Sequence, residues 1–306
     1  MQTFAMHPNR APQQLDIFAD SRDVMLRNEV LGAIEQFDAG AARDAWRRLA
    51  AEYPDYANLP ALQLLIHWLE KPSTAALPDH AALARERLAI EQGLAPAAVQ
   101  AMGHDASSLW LMRPWRALAA RAQSLPFATD YSDDHAAALW LRGEDWAAAA
   151  QAVTGIESWR RIPAPLAWMT LARHRLEGLD PCWPLLAELA WMAPARLAVL
   201  LDAMQDPLLL RLRARFEAEF DGDAAAGQEA DDLAWFPAWV LTVRSALAPH
   251  LSAAQAGQQG VAERGMRSVV ALLLVERQGR HAELIARRSE LRDLHAGLYA
   301  AYMATR

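Results

Sequence analysis

The sequence predicts an all-α fold built from short antiparallel helix pairs, and three observations carry that expectation. Alanine, the strongest helix former, recurs throughout the 306-residue chain. Apolar residues return at three- and four-residue spacing in one stretch after another. Glycine-marked turns separate these stretches by only a few residues, which brings consecutive helices back against each other. With 53% hydrophobic and 22% charged residues, the chain can bury a large core and falls outside the disordered class.

Residues 1–13 hold Pro8, Pro12 and polar side chains without a helical period, and the first 20 residues read as a flexible leader. Val24, Leu26, Val30, Leu31, Ile34 and Phe37 then mark a first helix, capped by Ser21 or Asp20 and broken at Gly40. Ala42, Ala45, Trp46 and Leu49 share one face of a second helix, which stops at Tyr53-Pro54 because proline disfavours helical geometry in the residue before it. The same order of helix, glycine turn and helix returns at 139–143 with 146–153, and at 272–276, Gly279 and 284–298. Asp180-Pro181 and Ser132-Asp133-Asp134 read as helix starts, with acid near the positive helix end. Proline-rich 162–165 interrupts the pattern. Two glycines and five acidic residues make 221–232 a solvated acidic loop. The expected organisation is therefore a helical-repeat domain over 21–220 and a C-terminal helical region over 233–306 that caps the array. In that final region Leu284, Leu291, Leu294, Leu298 and Tyr302 form one helix that closes the core. Trp46, Trp68, Trp140, Trp146, Trp168 and Trp191 are expected in the seams between helices.

Phe37-Asp38-Ala39-Gly40, with Ala45, Leu49 and Pro54, resembles the large, glycine, small, large, proline skeleton of a tetratricopeptide repeat. Gly143 lies 103 residues after Gly40 and Gly279 lies 136 after Gly143, close to three and four times the ~34-residue period of that family. The resemblance implies an irregular right-handed α-solenoid of antiparallel helix pairs. Each pair has an apolar face too large for water and too small for a core, so neighbours stack.

Several classes of function lose their support. Cys182, the one cysteine, excludes a disulfide framework and a thiolate zinc cluster, and reads as a small buried hydrophobe. The formal net charge of -7 and the scattering of the arginines disfavour direct nucleic-acid binding. Arg211, Arg213 and Arg215 alternate with apolar residues, which on a helix spreads charge around the axis as a solvated face. No apolar run approaches the ~20 residues of a membrane helix and no secretory signal opens the chain, so the expected location is the cytoplasm. Zincin, hydrolase-elbow and phosphate-loop motifs are absent, and no cofactor is implied.

Two constellations remain. Gln14-Leu15-Asp16-Ile17-Phe18 resembles the peptide by which many bacterial proteins bind the DNA sliding clamp, with Ile17 in place of the usual leucine. In such a peptide Leu15, Ile17 and Phe18 would fill apolar pockets while Gln14 supplies directional hydrogen bonds and Asp16 holds the polar position. The same apolar residues would equally serve to staple the leader onto the first helix pair. His104-Asp105, with His80 and Asp133, are the residue types of a helical metal-dependent phosphohydrolase. Gly103 and Ala106-Ser107-Ser108 place that pair in a loop, however, where the family has an apolar helix. His67 with Glu70 and His174 with Glu177 share helical faces in the reverse of the di-iron order, and read as solvent-side or satisfied histidines. The function expected is protein–protein interaction without catalysis, a scaffold whose helical groove holds a protein or peptide partner. The alternatives are an accessory factor recruited to the sliding clamp, and the metallohydrolase.

Overall fold

The computed structural model describes residues 17–220, 232–257 and 259–306, with side chains from Arg22 onward, and every regular element among them is helical. Of the described residues, those up to 75 and those over 84–114 form one compact unit, and those over 76–83 and from 115 onward form the other. The stretch read as an acidic loop, 221–232, lies almost wholly outside the described residues.

The first unit holds α1 (Ile17–Glu35), α2 (Ala39–Glu52), α3 (Leu59–Glu70), most of α4 (His80–Ala89), α5 (Ala95–Met102), and α6 (His104–Arg121) as far as Pro114. Helix α1 packs on α2, α2 on α3, and α3 on α5. Leu26, Val30, Leu31 and Ile34 are buried, while Val24 stays exposed. The first turn comes earlier than Gly40. Phe37 takes the left-handed conformation at φ 59°, and Asp38 accepts the Ala41 N–H at 2.9 Å to cap α2, so Gly40 lies in that helix's first turn. Left-handed backbone is costly for a bulky residue, and here the ring is held from two sides. It stacks on Trp110 with centroids 5.6 Å apart, and the Arg113 guanidinium lies 4.1 Å from its centre. Trp110 in turn donates to the Ile34 carbonyl at 3.0 Å.

The second unit continues with α7 (Ala136–Arg142), α8 (Trp146–Thr154), α9 (Pro163–Glu177), α10 (Trp183–Met192), α11 (Pro194–Met204) and α12 (Pro207–Glu219). After residue 232 come α13 (Phe236–Val243), α14 (Ala248–Ser252), α15 (Val261–Arg277), α16 (His281–Leu294) and α17 (Ala296–Met303). The pairs read from the sequence are present as α7 against α8 and α15 against α16. Between α7 and α8 the positive φ falls on Glu144 at 51°, not on Gly143, and Asp145 caps α8 through the Ala148 N–H at 3.0 Å. Gln205 (φ 51°) and Asp206 repeat the arrangement before α12, with Asp206 accepting the N–H groups of Leu208 and Leu209. In all three turns a left-handed residue is followed at once by a capping aspartate.

Three local expectations are corrected. Proline-rich 162–165 does not interrupt the helices, because Pro163 opens α9, where a missing N–H removes no intrahelical bond. Neither Asp133 nor Asp134 caps α7. His135 does, its Nδ1 accepting the Ala137 N–H at 3.1 Å. The single final helix is two, since His295 is extended (φ -160°) between α16 and α17 and accepts the Leu298 N–H at Nδ1. Its ring stacks on Phe220 and sits 4.1 Å from the Trp235 ring. Leu291, Leu298 and Tyr302 reach the core all the same.

That core runs unbroken from Ala137 to Tyr302, so the residues after 232 share it with α9 to α12. Helix α10 passes through it with α9, α11, α13 and α14 packed around it, which is why it is apolar on nearly every side. Its Trp183 and the Trp239 of α13, each 1% exposed, lead the fully buried side chains. Of the six tryptophans expected in seams, Trp168 is buried and the others are only half-buried. Gly265 in α15 marks the closest packing. A β-carbon there would come within 2.6 Å of the Trp235 ring and 3.1 Å of Leu298. Gly265→Ala gains about 1 kcal/mol of helix propensity but overpacks the contact, and is expected to destabilise the protein by about 2 kcal/mol net in urea unfolding. A neutral or stabilised variant would show that Trp235 yields freely.

Candidate functional site

Leu298 and Tyr302 turn one face of α17 into the core, which leaves Gly297, Ala300, Ala301 and Ala304 at helical spacing along the opposite side. These small residues floor an open groove of about 930 Å³, walled by Trp239 and Thr242 of α13, by the end of α12, and by the α16–α17 junction at His295. The floor is anchored from beneath. Tyr302 donates to the Glu276 carboxylate, which also pairs with Arg306 at 2.9 Å and Arg288 at 3.3 Å. Burial, together with the bond to Glu276, pushes the Tyr302 phenol above its usual range. On the rim, Arg215 pairs with Glu219 at 2.7 Å and sits 5.8 Å from the centre of the Trp239 ring. The groove combines a floor of small side chains with a rim of charged and polar ones.

A second cavity, of about 390 Å³, lies where the 159–161 turn, α10, the loop before α15 and α15 itself meet. Two glutamates in its wall are nearly inaccessible, Glu188 at 5% and Glu263 at 2% exposure. Each is satisfied by one arginine and by loop backbone. Arg160 clamps Glu188 with two bonds of 2.5 and 2.6 Å, and the Gln255 N–H adds a third at 2.6 Å. Glu263 accepts from Arg267 at 2.8 Å and from the N–H groups of Gly257 and Gln259. Held this way, the two buried carboxylates pin the loop to the core. Trp191, also in the wall, has the Arg267 guanidinium 5.7 Å from its ring centre, and its buried indole N–H has no acceptor among the described residues.

The residues singled out from sequence are not brought to either place. Gln14, Leu15 and Asp16 lie outside the described residues, as do the side chains of Ile17 and Phe18, whose backbone opens α1. His104 and Asp105 are exposed and begin α6 rather than forming a loop, with Ser107 and Ser108 both donating to the His104 carbonyl. His80 stacks on Tyr131 and contacts the Pro126 carbonyl through Nε2 at 2.9 Å, and Asp133 is exposed. Glu70 pairs with Arg43 rather than His67, and His174 pairs with Asp206 at 3.2 Å rather than Glu177. Burial alone would raise the Asp206 carboxyl, but the N–H groups of Leu209 and Leu208 and the His174 ring outweigh it and hold the group below its usual range. Cys182 is fully buried, and burial pushes its thiol up to about 12, so no thiolate forms near neutrality. Arg213 is less solvated than expected, bridging Asp202 of α11 and Glu217. Among the described residues no group of three or more His, Cys, Asp or Glu could hold a metal ion, and no helix is long and apolar enough to cross a membrane.

Sequence reasoning missed Glu188, whose partners lie 28 and 67 residues away, and Glu263, whose partners are all within six residues, and it missed the groove because its floor is made of alanines and a glycine. No protein-family model, curated protein or solved structure matches the chain.

Proposed function

We propose that the chain is a cytoplasmic, non-catalytic protein-binding module. Within each unit the helix pairs stack in the manner of an irregular right-handed α-solenoid resembling tetratricopeptide repeats, and the groove over α17 holds a peptide or helix of a partner protein. The observation that carries this reading is the groove itself, whose floor of small side chains lets another backbone approach closely beside the half-buried His295. Ala300 is exposed on that floor, so Ala300→Trp fills the groove without disturbing the core. Captured from its own cell extract, a partner should be retained by the wild-type protein and lost by Ala300→Trp at unchanged melting temperature. Equal retention by both would remove the groove from the reading.

A second reading rests on the match of residues 14–18 to the clamp-binding pattern. It makes the protein an accessory factor held at the DNA sliding clamp by Gln14, Leu15, Asp16, Ile17 and Phe18. Calorimetry against a purified bacterial clamp should then give a Kd of about 1–10 μM, abolished by the Leu15→Ala/Phe18→Ala double variant with helicity unchanged. No heat at ~100 μM protein would discard it.

A further inference from the structure

We propose that the 390 Å³ cavity beside Glu188 and Glu263 binds a small organic carboxylate, its anionic head on Arg161 and its apolar body against Trp191 and Met192. The cavity lies within the size range of small-molecule sites. Its charges decide the sign of the ligand. Glu188 is cancelled by Arg160 and Glu263 by Arg267, both through short, charge-assisted bonds. Arg161 also lines the cavity, and its side chain makes no ion pair or hydrogen bond among the described residues, so one positive charge is left over.

The hydrogen-bond inventory agrees. Both carboxylates already accept several bonds each, whereas the indole N–H of Trp191 is a buried donor without an acceptor among the described residues and the exposed guanidinium of Arg161 has no protein partner among them. A buried donor left unpaired is rare in folded proteins and costs free energy that an added acceptor would recover. The uncancelled charge of Arg161 disfavours a cation here and favours an anion. Trp191 and the half-exposed Met192 supply apolar surface beside that charge, which calls for a hydrophobic group on the acid. Such a carboxylate belongs either to a free small acid or to the end of a peptide chain. This site is separate from the groove over α17 and does not depend on that reading.

The test follows the Trp191 indole signal in a 15N-tryptophan-labelled protein, assigned through Trp191→Phe, during titration with benzoate, benzamide and N-acetylphenylalanine. Benzoate should move that signal saturably with a Kd of about 1 mM or tighter, benzamide should not, and Arg161→Gln should weaken the response about tenfold or more. Arg161 is exposed, so its variant should melt with the wild type. A stronger response to N-acetylphenylalanine than to benzoate assigns the carboxylate to a chain end, and the reverse assigns it to a free acid. A Trp191 signal that is unmoved at ~10 mM benzoate, moved equally by benzamide, or indifferent to Arg161→Gln overturns the proposal.

Discussion

Arg160→Ala should cost about 3 kcal/mol of stability, seen as a melting temperature roughly 10 °C lower. The reason is what the substitution leaves behind. Glu188 sits on the innermost helix of the second unit at 5% exposure, and Arg160 supplies two of its three hydrogen bonds. Without the guanidinium, the carboxylate stays in the core with one backbone N–H as its partner. Arg160 is itself about a quarter exposed, so water can partly replace it, which keeps the loss toward the lower end of that for a broken buried pair. The double variant Arg160→Met/Glu188→Leu should recover most of the loss, because it removes the stranded charge along with its partner. A single variant that melts with the wild type would show that the clamp contributes no net stability.

Acid should destabilise the second unit through His135. This ring is 5% exposed, stacked on Trp168 at 5.6 Å, edge-on to Phe127, and caps α7 by accepting the Ala137 N–H. An accepting Nδ1 has to be unprotonated, and burial, with His80 nearby, holds the imidazole down to about 4 against an ordinary value of 6.5. In the unfolded chain the same ring binds its proton near 6.5, so between the two values the unfolded state carries more protons than the native one. Stability is therefore complete above pH 6.5 and falls as the pH drops toward 4, by roughly 3 kcal/mol in all. His135→Asn keeps a side chain that can cap the helix and removes the titration, so its unfolding free energy should be flatter across that window. An identical pH slope in both proteins would place the acid sensitivity elsewhere.

Much of the helical grammar was legible because it is local. The α7–α8 pair, the end of α2 before Pro54 and the break at Gly279 each follow from residues within one or two turns of each other. What escaped was either long-range or unorthodox. Glu188 finds Arg160 28 residues back and Gln255 67 residues on, separations at which no pattern in a single sequence speaks. His135 and His295 act as helix caps, a role that belongs by preference to Ser, Thr, Asp and Asn. Both rings are flanked by aromatic residues distant in sequence. For the same reason His295 hid the break between α16 and α17, whose heptad-like leucines read straight through it. The clamp-like peptide was legible as a motif, and its test lies in binding.

The turns at Phe37-Asp38, Glu144-Asp145 and Gln205-Asp206 also set the tolerance of the chain to changes in length. Each reverses direction over a few residues, with one residue forced left-handed and the next committed to capping. One residue inserted after the aspartate would advance the following helix by about 100°. In α8 that rotation would swing Ala149 and Val153, both fully buried, toward water and bring polar neighbours inward. Such joints accept side-chain replacement far more readily than a change of frame, so insertions should survive in longer connections and be purged from these three.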